Sequence, residues 1–515
     1  MSCFSKIFSA TPEFNSIRSD VERGSFPFGI LGLPPAPKAF LIHSFCEEFN
    51  QKAVVIVPDE AFAQKLANDL TVFGTDAAVY PARDFNFQEV QASSSEYEQK
   101  RIGALSRFTD GRSKVLIASA EAAMQYTVPP EELAKKTFTL SPGMTVSTDE
   151  LREKLVRAGY TFCEMVEGAG QFSVRGGIAD IFPANTENPV RIEFWGDEID
   201  TLNEFDIISQ RRTEAVKSIR IAPCSEVIFD DLPQTAEKLE GISKSIRGKN
   251  AAAVREWLNR DAELLKASLS PRCKDKYLPI LFPDGSSVFS YVKDAFLFIC
   301  DSSSVKERAA ACEKLMNEEI KELFSDGLLC KGLDKFTLSM SEFFSMYEKH
   351  KTVYADNFAR GSFDTPVKDL INFKVMQGSR WDGTYSVLVE DISPALKKKY
   401  SVAVFAGTQK AAQSLFDELT EDEIPAIMCS APPKFFNPGY VHVLTETISA
   451  GIEFPAAKFT AVSYGRFTGG AKKTAVQKKR PPNAFNSLEE LQKGDYIVHA
   501  TSGIGIFDGI EKVCM

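Results

Sequence analysis

The sequence has no Cys-x-x-Cys pair, only four histidines and no apolar run long enough to cross a bilayer. Each absence removes a class of function. The ten cysteines are scattered from Cys3 to Cys514 without paired spacing. Neither a metal site nor a disulfide framework is expected, and a reducing cytoplasm suits them. A membrane helix needs roughly 18 consecutive apolar residues, so no membrane partner is expected. Residues 1–20 carry charges and no apolar block, so no signal peptide is expected. An excess of positive charge is also missing. Sixty Lys and Arg stand against 70 Asp and Glu, for a net charge of −10. That balance argues against a chain built mainly to coat nucleic acid, because phosphate binding is electrostatic.

Phenylalanine is abundant instead, with 40 among 515 residues, so core material is ample. At roughly 100–200 residues per domain, the length implies three or four domains. From residue 25 to about 136, apolar runs of strand length alternate with helical periodicity. Ala53–Val57, for example, precedes Phe62, Leu66, Leu70 and Phe73 at helical spacing. This pattern predicts a parallel sheet covered by helices. Residues 137–225 change texture to short strands and turns, predicting a small α+β domain with a twisted antiparallel sheet. Residues 226–355 read as mainly helical, with a strand at Ala295–Ile299. Residues 365–468 alternate again and predict a second α/β domain. Val54–Pro58 with the helix that follows resembles Val402–Ala406 with its own helix. Duplicated lobes or the shared physics of strand–helix units would both explain this.

Residues 469–485 read as a linker, because Gly, Pro and like charges prevent compact packing. Lys472, Lys473, Lys478, Lys479 and Arg480 could touch a DNA backbone. A solvated hinge is the simpler reading, since short charge runs are usually exposed.

Gly32 to Ala39 sits between strand and helix, where a phosphate loop of pattern Gly-x-x-x-x-Gly-Lys-[Ser/Thr] belongs. Gly32 and Lys38 are in register. Pro37 replaces the second glycine, and Ala39 replaces the hydroxyl that would hold Mg²⁺. Such a loop works by aiming successive N–H groups at phosphates. Pro34, Pro35 and Pro37 have none to give. Val115–Ala118 leads into Ser119 rather than an acidic pair. Elsewhere, Glu187, Glu193, Asp197, Glu198 and Asp200 surround a hairpin turn without a nearby histidine, and read as a solvated face. No catalytic residue is therefore assigned, no nucleotide cofactor is expected for this chain, and no enzyme activity. A nucleotide hydrolase remains the rival and would need Lys38 to serve a phosphate.

Val190 to Trp195 alternates with period two. Val190, Ile192 and Phe194 form the natural core face, leaving Arg191, Glu193 and Trp195 on the other. Arg175 lies on a nearby predicted strand. An indole flanked by arginines has the composition of a protein-binding hot spot. Packing of Trp195 beneath another domain of the same chain is the alternative.

Gln171–Pro183 followed by Pro189–Asp200 resembles the module shared by the excinuclease subunit UvrB and the transcription-repair coupling factors. The resemblance implies a partner, the damage-recognition subunit UvrA. It places the contact on Arg175, Arg191 and Trp195, the last commonly Phe in the family. Tyr80–Asp84 is similar to the coupling-factor version. Lys493–His499 and Gly503–Ile510 resemble the opening of that family's RNA polymerase-interacting domain, a small β-barrel that grips the polymerase β subunit. Tyr496, Val498, Ile504 and Ile506 would be its partial site, and His499 a structural residue. The resemblance implies a degenerate RecA-like first lobe carrying the inserted domain. It also implies a barrel cut short at Met515 and DNA contact mainly through motor lobes outside this sequence. The family's ATP and Mg²⁺ belong to those lobes. In the family, a C-terminal domain masks the UvrA-binding face. A polymerase-binding protein acting through residues 485–515 is a third reading.

Overall fold

The computed structural model describes residues 2–88, 95–358, 363–378 and 384–463, and the backbone of 496–499 and 503–506. Two compact units are present, Met1–Phe467 and Thr468–Met515.

A seven-stranded sheet organises the first lobe. Its spatial order is Leu370–Asn372, Phe28–Leu31, Lys351–Ala355, Ala295–Cys300, Lys52–Val57, Val115–Ser119 and Ala77–Tyr80. Every neighbouring pair is parallel. Helices cover both faces, so the central strands are apolar throughout instead of alternating. All of Val115–Ser119 and Ala295–Cys300 is buried. Lys351–Ala355 also lies mid-sheet, a second strand in the stretch read as mainly helical.

Between Val115–Ser119 and Ala295–Cys300 the chain leaves to build the small domain. Its six-stranded sheet runs Arg212–Ala215, Glu198–Phe205, Val190–Trp195, Ile178–Ile181, Gln171–Arg175 and Thr161–Phe162. All pairs are antiparallel except the last. Val190 and Ile192 point into its core with Phe172, Ile181, Leu151 and Leu155, as the period-two pattern requires. Entry and exit lie side by side, because Phe138–Leu140 pairs with Ile219–Ile221. An insertion anchored by such a ribbon leaves the parent sheet uninterrupted.

The second α/β sheet has the order Met376–Gly378, Gly451–Phe454, Phe459–Ser463, Ser401–Phe405, Val441–Leu444 and Ala426–Cys429. The division expected at residue 365 needs correction. Leu370–Asn372 pairs with Phe28–Leu31 and so extends the first sheet, whereas Met376–Gly378 extends the second. Residues 370–378 are an edge strand to both lobes. The two similar strand–helix units share a capping pattern. Asp59 accepts from Phe62 N–H and Thr408 from Ala411 N–H, each satisfying an orphan donor of the helix start. The likeness stops there, since the first sheet is all-parallel and the second mixed.

In the second unit, Tyr496–His499 pairs antiparallel with Gly503–Ile506, matching Tyr496 to Ile506 and Val498 to Ile504. This is a hairpin, and no closed barrel is found among the described residues. The basic residues of 469–485 lie outside the described residues.

Candidate functional site

Trp195 ends the Val190–Trp195 strand, just before the turn at Gly196, whose φ of +62° suits glycine. Its indole is 83% exposed. It does not pack beneath another part of the described chain. The two arginines differ from it and from each other. Asp180, 1% exposed, sits on the neighbouring strand directly opposite Arg191. Arg191 Nε meets its Oδ1 at 2.6 Å and Nη2 its Oδ2 at 2.9 Å. Arg191 Nη1 also donates to Gln210 O at 3.1 Å, and the guanidinium lies 4.7 Å from the Phe205 ring centroid. The Asp180 carboxylate holds the Arg191 guanidinium above its usual range. Arg175 reaches Asp180 diagonally, Nη2 to Oδ2 at 2.8 Å, with 54% of its side chain exposed against 16% for Arg191. Of the three residues expected to form a contact surface, Trp195 and Arg175 are open and Arg191 is largely covered by its own contacts on the outer face.

Asp180 was missed by sequence reasoning, although a signal existed. With Ala179 and Ile181 on the core face, period two puts Asp180 outward, and hairpin register sets it against Arg191. Glu193 is spoken for by Arg212 and by Thr201, whose hydroxyl donates at 3.0 Å.

The loop at Gly32–Ala39 is also built up rather than open. The helix Pro35–Glu48 starts on Pro34 with no side-chain cap. Gly32 N–H donates to Asn357 O at 3.2 Å and Leu33 N–H to Asp356 O at 3.1 Å. Ala36 N–H donates to Gln377 Oε1 at 3.3 Å. Residues 34, 35 and 37 are prolines, so every N–H from 32 to 37 is absent or engaged. A Cβ on Gly32 would come within 2.3 Å of Phe373 O, so the 370–378 connector lies against the loop. The Lys38 side chain is fully buried. Its Nζ donates to Leu33 O at 2.7 Å and to Asp301 Oδ1 at 2.9 Å. Ala39 is buried in the core.

The UvrB interaction domain family matches residues 138–227, the small domain that carries Trp195. The CarD-like/TRCF RID family matches residues 491–515. Transcription-repair-coupling factors align along nearly the whole chain. That of Bacillus subtilis is 29% identical over 97% of this chain and 43% of its own length. That of Staphylococcus aureus strain USA300 is 25% identical, covering 94% and 42%, and that of Staphylococcus epidermidis RP62A is 24% identical with the same coverage. The chain matches the N-terminal part of the transcription-repair-coupling factors. It spans about two fifths of the length of these curated relatives.

Within the first unit, Tyr80–Asp84 has a clear structural task. Arg83 binds Asp275 through both Nη atoms, at 2.8 and 3.0 Å, and Glu226 through Nε at 2.7 Å. Arg101 is fully buried, gives Glu226 a second bond at 2.8 Å and lies 4.3 Å from the Tyr80 ring centroid. Burial would raise the Glu226 carboxyl, but the Arg101 and Arg83 guanidinium groups hold it below its usual range. Glu226 stands at the end of the small domain, so this network fixes that domain to the first lobe and the helical segment. Its members are distant in sequence, which is why spacing did not reveal it. The expected polymerase-contact residues Tyr496, Val498, Ile504 and Ile506 lie on the two C-terminal strands, within the matched RID residues. No helix among the described residues is long and apolar enough to cross a membrane.

Proposed function

We propose that this chain serves transcription-coupled nucleotide excision repair as a docking segment that recruits UvrA to a stalled RNA polymerase, without nucleotide chemistry of its own. One observation carries the reading. The module that resembles the UvrB interaction domain presents Trp195, 83% exposed, on the same sheet as a half-exposed Arg175 two strands away. Tryptophan and arginine are among the residue types that dominate binding hot spots, so an open face that carries both suits a docking surface. The engaged N–H groups of residues 32–37 support the second half of the proposal, because they leave a phosphate no cradle. ATP, Mg²⁺, DNA translocation and most DNA contact would then belong to the longer relatives. The RID match adds RNA polymerase as a second partner, reached through residues 491–515.

Capture of purified UvrA by the full 515-residue chain tests the reading. Binding is expected without ATP and is expected to fall about thirtyfold or more for Trp195→Ala, in keeping with about 2 kcal/mol or more for a hot-spot aromatic. Because Trp195 touches little of its own domain, the variant should melt with the wild type. Unchanged capture by Trp195→Ala would overturn the surface assignment.

A further inference from the structure

We propose that Asp180 is the positioning residue of this surface: it clamps Arg191 as an internal strut and holds Arg175 half-exposed, as the donor for a carboxylate on the partner. The inference rests on the docking function proposed above.

Three observations converge on it. The first is the division of hydrogen bonds. Arg191 spends Nε, Nη1 and Nη2 on Asp180 and Gln210 and covers the Phe205 ring. A guanidinium has five N–H donors in a fixed fork, and this one is largely used inside its own domain. Arg175 gives Asp180 a single nitrogen, Nη2, while more than half of its side chain stays open. The second is charge. One buried carboxylate faces two guanidinium groups, so positive charge is left over, and it sits on the more exposed Arg175. Glu193 does not cancel it, because Arg212 and Thr201 already engage that carboxylate. The third is the neighbourhood. Ile178, itself partly exposed, lies between Arg175 and Glu193 in the sheet register, with Trp195 beyond. The partner that fits is therefore a carboxylate beside an apolar recess deep enough for an indole. Pre-ordering matters here because an arginine otherwise loses rotamer freedom on binding.

Asp180→Asn separates positioning from simple charge balance. If Asp180 only neutralised charge, removing it would make the surface more positive and tighten its hold on an acidic partner. If it orients the arginines, the asparagine amide offers one acceptor and turns its N–H donors toward guanidinium. Binding should then weaken about tenfold or more, the scale of a lost hydrogen bond to a charged group. The full-length chain would be titrated with purified UvrA, alongside Arg175→Ala and the double variant. In the double variant, Asp180→Asn should cost little beyond Arg175→Ala, because the group it positions is gone. Unchanged or tighter binding by Asp180→Asn, or fully additive losses, would overturn the proposal. Should Asp180→Asn unfold the small domain, Arg175→Lys carries the test. An affinity as low as that of Arg175→Ala supports an oriented guanidinium, and wild-type affinity refutes it. The unaltered chain distinguishes the two readings: if it does not capture UvrA the docking function itself fails, whereas capture that Trp195→Ala lowers and Asp180→Asn leaves unchanged overturns only the positioning role.

Discussion

Single side chains decide what the two candidate places can do. Lys38 lies at the start of the Pro35–Glu48 helix and donates to Leu33 O and Asp301. Its ammonium has become an internal counter-charge. Lys38→Met should therefore lower the stability of the chain by about 1–3 kcal/mol, since it strands a carbonyl and a carboxylate. The partial exposure of Asp301 lets water make up some of that loss. Millimolar Mg-ATP should not shift the melting temperature of the wild type, because a ligand that does not bind the folded state cannot stabilise it. A saturable ATP-dependent rise that Lys38→Met removes would restore a nucleotide-binding lobe. That residues 34, 35 and 37 have no N–H to offer was readable from the sequence, because proline's missing N–H is a property of the residue alone. The role of Arg191 was not. Its alternation marked it as outward, yet outward on a sheet means only away from the core, and Asp180 waited there on the next strand.

At the scale of elements, strand–helix units were legible wherever period and burial agree. Lys52–Val57 leading to Glu60–Val72 follows from local pattern, and so does the strand Val190–Trp195. Elements stabilised by distant partners were not legible. The helix Cys3–Ser9 has only seven residues, too short to persist alone in water. It exists because Phe4 and Phe8 are driven into a core shared by both α/β lobes. Phe4 lies near Phe405 and Phe436 of the second lobe, and Phe8 stacks on Phe373 at 4.8 Å and meets Phe14 and Phe454 edge-on at 5.2 and 5.9 Å. Phe8→Ala would open a cavity among these rings and should cost about 3–5 kcal/mol, read from the urea midpoint of the purified chain. A loss under about 1 kcal/mol would mean that the helix is not a wedge between the lobes.

The whole first unit is held as one body by contacts that cross its lobes. The 370–378 connector is an edge strand in both sheets, Gln377 reaches the start of the Pro35–Glu48 helix, and the phenylalanine core is common to both. This is why the division expected near residue 365 does not correspond to a break. One polar clasp belongs to the same joint. Asp69, on the first lobe's Glu60–Val72 helix, accepts from Ser449 of the second lobe, from N–H at 2.8 Å and from the hydroxyl. Burial pushes its carboxyl from 3.8 up to about 6, with the two Ser449 donors pulling the other way. A carboxyl that is harder to ionise when folded favours the folded, joined state fully below pH ~4 and loses that contribution as the pH rises through about 6. At neutral pH the buried charge is therefore a cost. Asp69→Asn keeps the size and a polar partner for Ser449 but cannot ionise. It should stabilise the chain by about 2–3 kcal/mol above pH 7 and flatten the stability profile between pH ~4 and 6. Denaturant unfolding of both proteins at pH 4.5, 6 and 7.5 measures the difference. Equal stability at pH 7.5, or a gain that does not shrink toward pH 4.5, would show that the joint does not feel this carboxyl's charge.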